Sequence, residues 1–213
     1  VLVPDLTGTA VPAQAAPTDD QLGADGSVLR DSQTSRVAPG LELTNFSRLE
    51  DEGWNNGNVL TADLTESSLS VDVADTGVVA GSATTSEVMT QGEKGQQAVA
   101  AVNGTFFDIN HSDAPIYSSV SQGELRVGTQ TPMPSLTISG QQAAVQMLSA
   151  SGTLTADGQE HELGGLNNPR LSEDTIGVYT QAWGDYTLDR PVGGPDALAD
   201  DIARVTVVDG EVV

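Results

Sequence analysis

Five consecutive small apolar residues, Ala98, Val99, Ala100, Ala101 and Val102, run directly into Asn103-Gly104. Nothing in this run alternates, so both faces of the backbone are apolar. That is the pattern of a strand covered on both sides, and Asn-Gly is a strong stop for it. Phe106 and Phe107 follow, and then Asp108, Asn110, His111 and Asp113 crowd together before Pro115. Nowhere else does the chain set so much polar chemistry beside so short an apolar run. Residues 116–126 then read as a hairpin turning at Gln122-Gly123.

The flanking sequence is strand-like. Leu41, Leu43 and Phe46 suggest one strand, and residues 59–64 and 69–73 alternate as half-buried antiparallel strands do. Between Phe46 and Val59, residues 51–58 read as a polar turn region carrying Trp54. Thr84 and Glu87 stand at capping-box spacing, which predicts a helix over 86–94. Further strands are expected at 135–138, 143–148 and 175–180, the last delivering Trp183-Gly184. A hairpin is expected over 153–163 around Asp157-Gly158. Residues 191–195 read as a Gly/Pro linker. The expected fold is therefore α+β: a β-rich mixed or antiparallel sheet with few helices, and with 98–102 as a central strand. Residues 1–39 are rich in Ala, Pro, Thr, Asp and Gly and follow neither period. They read as an extended or partly disordered N-terminal arm that contributes little sheet, ahead of a domain over 40–213. Residues 205–208 form a strand and Asp209-Gly210 turns it back, but only three residues return. The domain is expected to be incomplete and to be finished by a second segment.

Charge limits the partners. Eight Lys and Arg face 30 Asp and Glu, a formal net charge of -22, which opposes binding to nucleic acid or to an anionic membrane surface. No apolar run is long enough to span a bilayer. With no cysteine there is no thiolate metal site and no disulfide. The chain begins at Val1 rather than at a methionine, and an upstream signal peptide is expected to have been removed.

Elimination narrows the chemistry. The sequence has no G-x-S-x-G, no P-loop and no G-x-G-x-x-G. Asp108, Asn110 and Asp113 have an oxygen-rich spacing that calcium accepts, but the loop lacks the glycine and terminal glutamate of an EF-hand, so it is a weak metal candidate. Otherwise no cofactor is expected. Asp108 leaves an apolar run behind two aromatics. Burial there would raise its pKa and suit it to general acid or base work. The competing reading is a capping residue beside a left-handed bend at Asn103-Gly104. Trp54 and Trp183 are both expected in the core.

The segment Asn103-Gly104-Thr105-Phe106-Phe107-Asp108, after its small-apolar run, resembles the phosphodiester glycosidase family, to which the lysosomal uncovering enzyme belongs. Ala114-Pro115-Ile116 and Ser121-Gln122-Gly123-Glu124-Leu125 match the loop and hairpin that follow this motif in that family. Ala38-Pro39-Gly40-Leu41 and residues 59–64 look like its opening strands. Leu166-Asn167-Asn168-Pro169-Arg170 and residues 176–184 look like its actinobacterial branch. The resemblance spans 37–213. It implies a secreted enzyme, extracellular or in the cell wall, that hydrolyses a sugar-1-phosphodiester in a glycan. It also implies Asp108 as acid/base and Asn103 as an orienting donor, both catalytic. Gly104, Thr105, His111, Tyr117 and Arg126 would contact substrate, His111 and Arg126 through the phosphate. Thr105 stands where small or acidic residues are common, and Tyr117-Ser118 stand where a glycine is common. The family's Gly-rich, Asp-containing segment is missing from this chain. The expected partner is therefore the C-terminal remainder of the same gene product, as a second chain sharing the site. The alternative is a non-catalytic secreted module that binds glycan or packs against a partner.

Overall fold

The computed structural model describes residues 26–90, 98–194, 202–209 and 211–213. Of these, 43% are strand and 7% helix, which is the β-rich α+β class expected.

Strands β1 (Val28–Ala38), β2 (Leu41–Glu50) and β3 (Gly53–Ala62) form an antiparallel meander. Its first turn needs Gly40, which has φ 72° and sits where a Cβ would lie 2.7 Å from the Cβ of Glu66. The expectation of an arm with little sheet is corrected for 28–38. These residues pair with β2 from Val28–Leu49 to Ala38–Leu41. Residues 1–25 of that arm lie outside the described residues. The strand escaped notice because neither of its faces is buried, so selection for period two never applied. The polar region at 51–58 is also shorter than expected. The connection is Asp51-Glu52, and Trp54 lies within β3, opposite Leu49 and 63% exposed. It is not a core residue.

The second sheet holds β4 (Ser119–Ser121), β5 (Glu124–Thr129), β8 (Thr153–Ala156), β9 (Gln159–Leu166) and β10 (Ile176–Val178). Its order is β10-β9-β5-β4, with β8 paired to β9. The β9–β10 pair is parallel and the others are antiparallel, so the sheet is mixed. The expected tight turns are present. Gln122 and Gly123 have φ 53° and 78°, and Asp157 and Gly158 have φ 50° and 74°, as the primed hairpin turns require. Two further hairpins, β6 (Met133–Ser139) with β7 (Gln142–Leu148) and β11 (Val207–Val208) with β12 (Glu211–Val212), pair only within themselves.

Helix α1 (Thr85–Thr90) starts on a complete capping box. The Glu87 amide donates to Thr84 Oγ1 at 3.3 Å, and the Thr84 amide donates to Glu87 Oε2 at 2.8 Å. Residues 91–94 of the expected helix lie outside the described residues.

Two expected strands do not form. Residues 69–73 are unpaired, and the Val73 carbonyl accepts from the Ser121 hydroxyl rather than from a ladder. Residues 98–102 are neither a strand nor buried: Val102 is 74% exposed. An apolar run becomes a central strand only when neighbours pair with it on both edges, and no described strand does so.

The main core cluster is Val79, Ala114, Val127 and Trp183, with Tyr179, Tyr186 and Leu188 packed around it. Trp183 is buried here, as expected. The Val79 and Ala80 amides donate to the Ala182 and Trp183 carbonyls, which ties the 78–81 loop to a single 3-10 turn at Gln181–Trp183. Ala114 brings the loop that begins at Asp108 down onto this floor.

Candidate active site

The loop from Asp108 to Ala114 folds around the Asp108 carboxylate. The Asp108 amide donates to the Ala114 carbonyl at 2.9 Å, and the His111 and Asp113 amides both donate to the Asp108 carbonyl. Asn110 and Asp113 take left-handed φ values of 64° and 56°, which Asn and Asp tolerate best among residues with a Cβ. The Ser112 hydroxyl donates to Asp108 Oδ2 at 3.0 Å. The carboxylate is thereby sealed from water, with Asp108 0% exposed.

A buried carboxylate needs partners, and two arginines supply them. Arg190 makes a forked contact, Nε to Oδ2 at 3.0 Å and Nη2 to Oδ1 at 2.9 Å. Arg170 approaches from another loop, with Nε and Nη2 both on Oδ1 at 3.3 and 3.2 Å. Burial pushes the Asp108 carboxyl upward. Hydrogen bonds from Arg190, Ser112 and Arg170, together with the Arg190 charge, outweigh that and hold it down at about 2. The same contact raises Arg190 further above its ordinary value. The expectation of a raised pKa at Asp108 is thus overturned, because two cations more than replace the lost water.

The arginines are positioned by a polar frame. Asn167, fully buried with φ 45°, donates through Nδ2 to the Arg126 carbonyl and to Thr180 Oγ1, and accepts from the Thr180 amide. Asn168 Oδ1 accepts from the Arg170 amide, and its carbonyl accepts from the Tyr179 hydroxyl at 2.7 Å. Burial pushes the Tyr179 phenol well up, so it stays a donor. The Leu171 amide donates to the Pro191 carbonyl, which couples the Arg170 loop to the 3-10 turn Arg190–Val192.

Each guanidinium has five N–H groups. Here each gives two to Asp108, so three remain on each. The Arg170 side chain is 57% exposed and that of Arg190 29%. The three side chains together carry one net positive charge. Such a cluster suits a planar or tetrahedral oxyanion.

The other sequence candidates are dispersed. Asn103 is exposed, and its Oδ1 accepts from Thr85 Oγ1 rather than meeting Asp108. Asn103 and Gly104 do not take left-handed φ values, so the expected bend is absent. The Thr105 hydroxyl donates to the Phe106 carbonyl. His111 touches Asp108 through its backbone, and its side chain is exposed. Tyr117 is half-buried. The two aromatics ahead of Asp108 do not cover it: Phe106 and Phe107 are both exposed, Phe106 by 77%. Arg126 donates to the Gly77 carbonyl at 2.8 Å and lies 3.6 Å from Asp75, so its charge fastens the 75–77 loop. The calcium-like spacing is used otherwise: Asp108 binds arginines and Asp113 Oδ2 accepts from Ser82. Among the described residues no group of three or more His, Asp or Glu is placed to hold a metal.

Sequence reasoning missed Arg170 and Arg190. Their signal was scarcity. In a chain with eight cations and 30 acids, each arginine after the central motif deserved a proposed partner. No described helix is long and apolar enough to cross a membrane. Comparison with known proteins gave no match: no family model, curated protein or solved structure matches the chain.

Proposed function

We propose that this chain forms part of a secreted phosphodiester glycosidase, acting outside the cell or in the cell wall on a sugar-1-phosphodiester of a glycan. The observation that supports this is the convergence of Arg170 and Arg190 on Asp108, within the loop that carries the Asn-Gly-Thr-Phe-Phe-Asp motif. A phosphodiester has one negative charge and two free oxygens, which match a net charge of plus one and outward guanidinium N–H groups. Water attacks the anomeric carbon, the bond from that carbon to the phosphoryl oxygen breaks, and sugar and phosphomonoester leave. The guanidiniums stabilise charge gathering on the departing phosphate. This leaving group is a weak base and needs no strong general acid. Asp108, ionised at neutral pH, orients the arginines and does not transfer a proton.

The base that activates water is assigned to the C-terminal remainder of the same gene product, which by resemblance carries a Gly-rich segment with an aspartate. Val102, Phe106, Val205, Val207 and Val212 are exposed apolar residues against which it would pack. The test incubates this chain, with and without that remainder, with a hexose-1-phosphate methyl diester. Release of hexose and methyl phosphate by the pair, lost on Arg170→Ala, is expected. Absence of turnover by the pair ends the proposal.

A glycan-binding module is the second reading, favoured by the exposed Trp54 on β3. Glycan retention without turnover, abolished by Trp54→Ala, would establish it instead.

A further inference from the structure

One face of the β1–β2–β3 meander is built from residues that strands avoid. Asparagine and glycine are depleted in strands, yet β3 holds Gly53, Asn55, Asn56, Gly57 and Asn58 among its 10 residues. A local rule broken this often in one strand marks side chains kept for contact rather than for the fold. We infer that this face is a docking site for an uncharged glycan chain, an inference that rests on the reading of Trp54 as a glycan contact and deepens it.

Register sets the side chains in rows. Gln33, Asn45 and Asn58 lie opposite one another across the three strands. Asp31, Ser47 and Asn56 form the next row on the same face, and Trp54 opposite Leu49 lies in the one after. From Trp54 to Asn58 the strand runs about 14 Å, and the row of three amides spans about 10 Å. Such an area receives a chain of several sugar rings rather than one.

This face is open and its groups are available. The opposite face carries Thr44 and Arg48, which are buried, and the Phe46 ring, which lies so close over Gly57 that a Cβ there would clash. Gln33, Asn45, Asn56 and Asn58 are exposed, as is Trp54. Among the described residues, the side chains of Gln33, Asn45, Asn58 and Trp54 have no hydrogen-bond partner. Asn56 Oδ1 accepts from the Ser47 hydroxyl at 2.6 Å, which fixes that amide and leaves its Nδ2 free to donate. A sugar hydroxyl both donates and accepts, and so does a side-chain amide. An indole face covers the C–H side of a sugar ring. Asp31 is the one charge in these rows, so no cation selects an anion here, in contrast to the arginine cluster.

Calorimetric titration of the chain with cellohexaose, chitohexaose and mannohexaose, and with hexagalacturonate as an anionic counterpart, tests this. A neutral hexaose is expected to bind, and its monosaccharide about tenfold or more weaker. Trp54→Ala should weaken the hexaose about 30-fold or more, as loss of a central aromatic contact does. Asn45→Ala and Asn58→Ala should each weaken it about fivefold, the worth of one hydrogen bond. Asn55→Ala, in the same strand but on the opposite face, should bind as wild type does. Full affinity in Asn45→Ala and Asn58→Ala, an equal loss in Asn55→Ala, a monosaccharide bound as well as the hexaose, or hexagalacturonate bound as tightly, overturns the docking face and leaves the Trp54 reading standing. Binding of no neutral hexaose, or binding that survives Trp54→Ala, overturns that reading as well.

Discussion

Arg190 and Asp108 meet as two parallel forks, Nε on Oδ2 at 3.0 Å and Nη2 on Oδ1 at 2.9 Å, with 82 residues of chain between them. The pair closes the 190–192 turn over a carboxylate with no contact to water. Removing Arg190 takes the forked partner from the buried carboxylate and leaves it only the half-exposed Arg170 and the Ser112 hydroxyl. Arg190→Ala is therefore expected to cost about 3 kcal/mol, the usual range for breaking a buried pair. Arg170→Ala should cost about 1 kcal/mol or less, because that side chain is more than half exposed and already hydrated. Urea unfolding of the two variants checks the ranking, and equal losses would refute it.

Acid should weaken the fold at this carboxylate. Its folded pKa is about 2, below the ordinary value of 3.8. The associated stability is complete above the unfolded value and disappears as pH falls from about 4 through 2. By linkage it amounts to about 2 kcal/mol. Asp63, Glu66 and Glu87 are also lowered, by hydrogen bonds from Thr65, Ser68 and Thr84 respectively. The informative quantity is thus the difference between wild type and Asp108→Asn. Unfolding midpoints measured from pH 6 to 2.5 should converge for the two proteins as pH falls. Parallel curves would place the carboxylate's pKa near its ordinary value.

Hairpins were legible in the sequence wherever turn chemistry was explicit, as at Gln122-Gly123 and Asp157-Gly158, and so was the α1 capping box of Thr84 and Glu87. These signals are local and need no tertiary partner. β1 was illegible because a two-face-exposed strand has no hydrophobic period to show. Residues 98–102 misled for the opposite reason. Their composition fits a covered strand, but pairing depends on neighbours that local pattern does not specify. At the site, Asp108 was found but the direction of its pKa shift was inverted. Burial was foreseeable from the motif, whereas the two guanidiniums arrive from loops 62 and 82 residues away.

Asn167 should be among the least replaceable residues of the frame. It is buried, left-handed at φ 45°, and bonded at both ends of its amide. Asn167→Asp keeps shape and backbone tolerance but turns the Nδ2 donor into an acceptor facing the Arg126 carbonyl. The expected cost is about 3 kcal/mol, combining a lost bond with a buried unpaired charge. Asn167→Ala adds strain at that φ and should be no milder. Thermal unfolding measures both, and a change within 0.5 kcal/mol, about the surface-substitution background, would show that the frame does not depend on this amide.

Kinetics of the proposed enzyme separate an orienting Asp108 from one that transfers protons. A carboxyl held near 2 is ionised throughout the working range, so its titration should be absent from the pH dependence of kcat/KM. Asp108→Asn is expected to lower kcat/KM about 100-fold if the proposed function holds, because guanidiniums displaced by about an ångström lose their alignment with the proposed phosphodiester. Arg190→Ala should lose a similar factor, since each variant dismantles the same fork. The double variant should then lose little more than either single one, as residues acting as a unit do. A proton-transferring Asp108 predicts the contrary: multiplied losses in the double variant, and an acidic or basic limb of the pH profile that vanishes in Asp108→Asn. Kinetics of the four proteins between pH 4 and pH 9, a span of about five units around neutrality chosen to lie above the folded pKa, distinguish the two outcomes. Multiplicative losses with a vanished limb would return Asp108 to the role of acid/base and leave the arginines as its counter-charges alone.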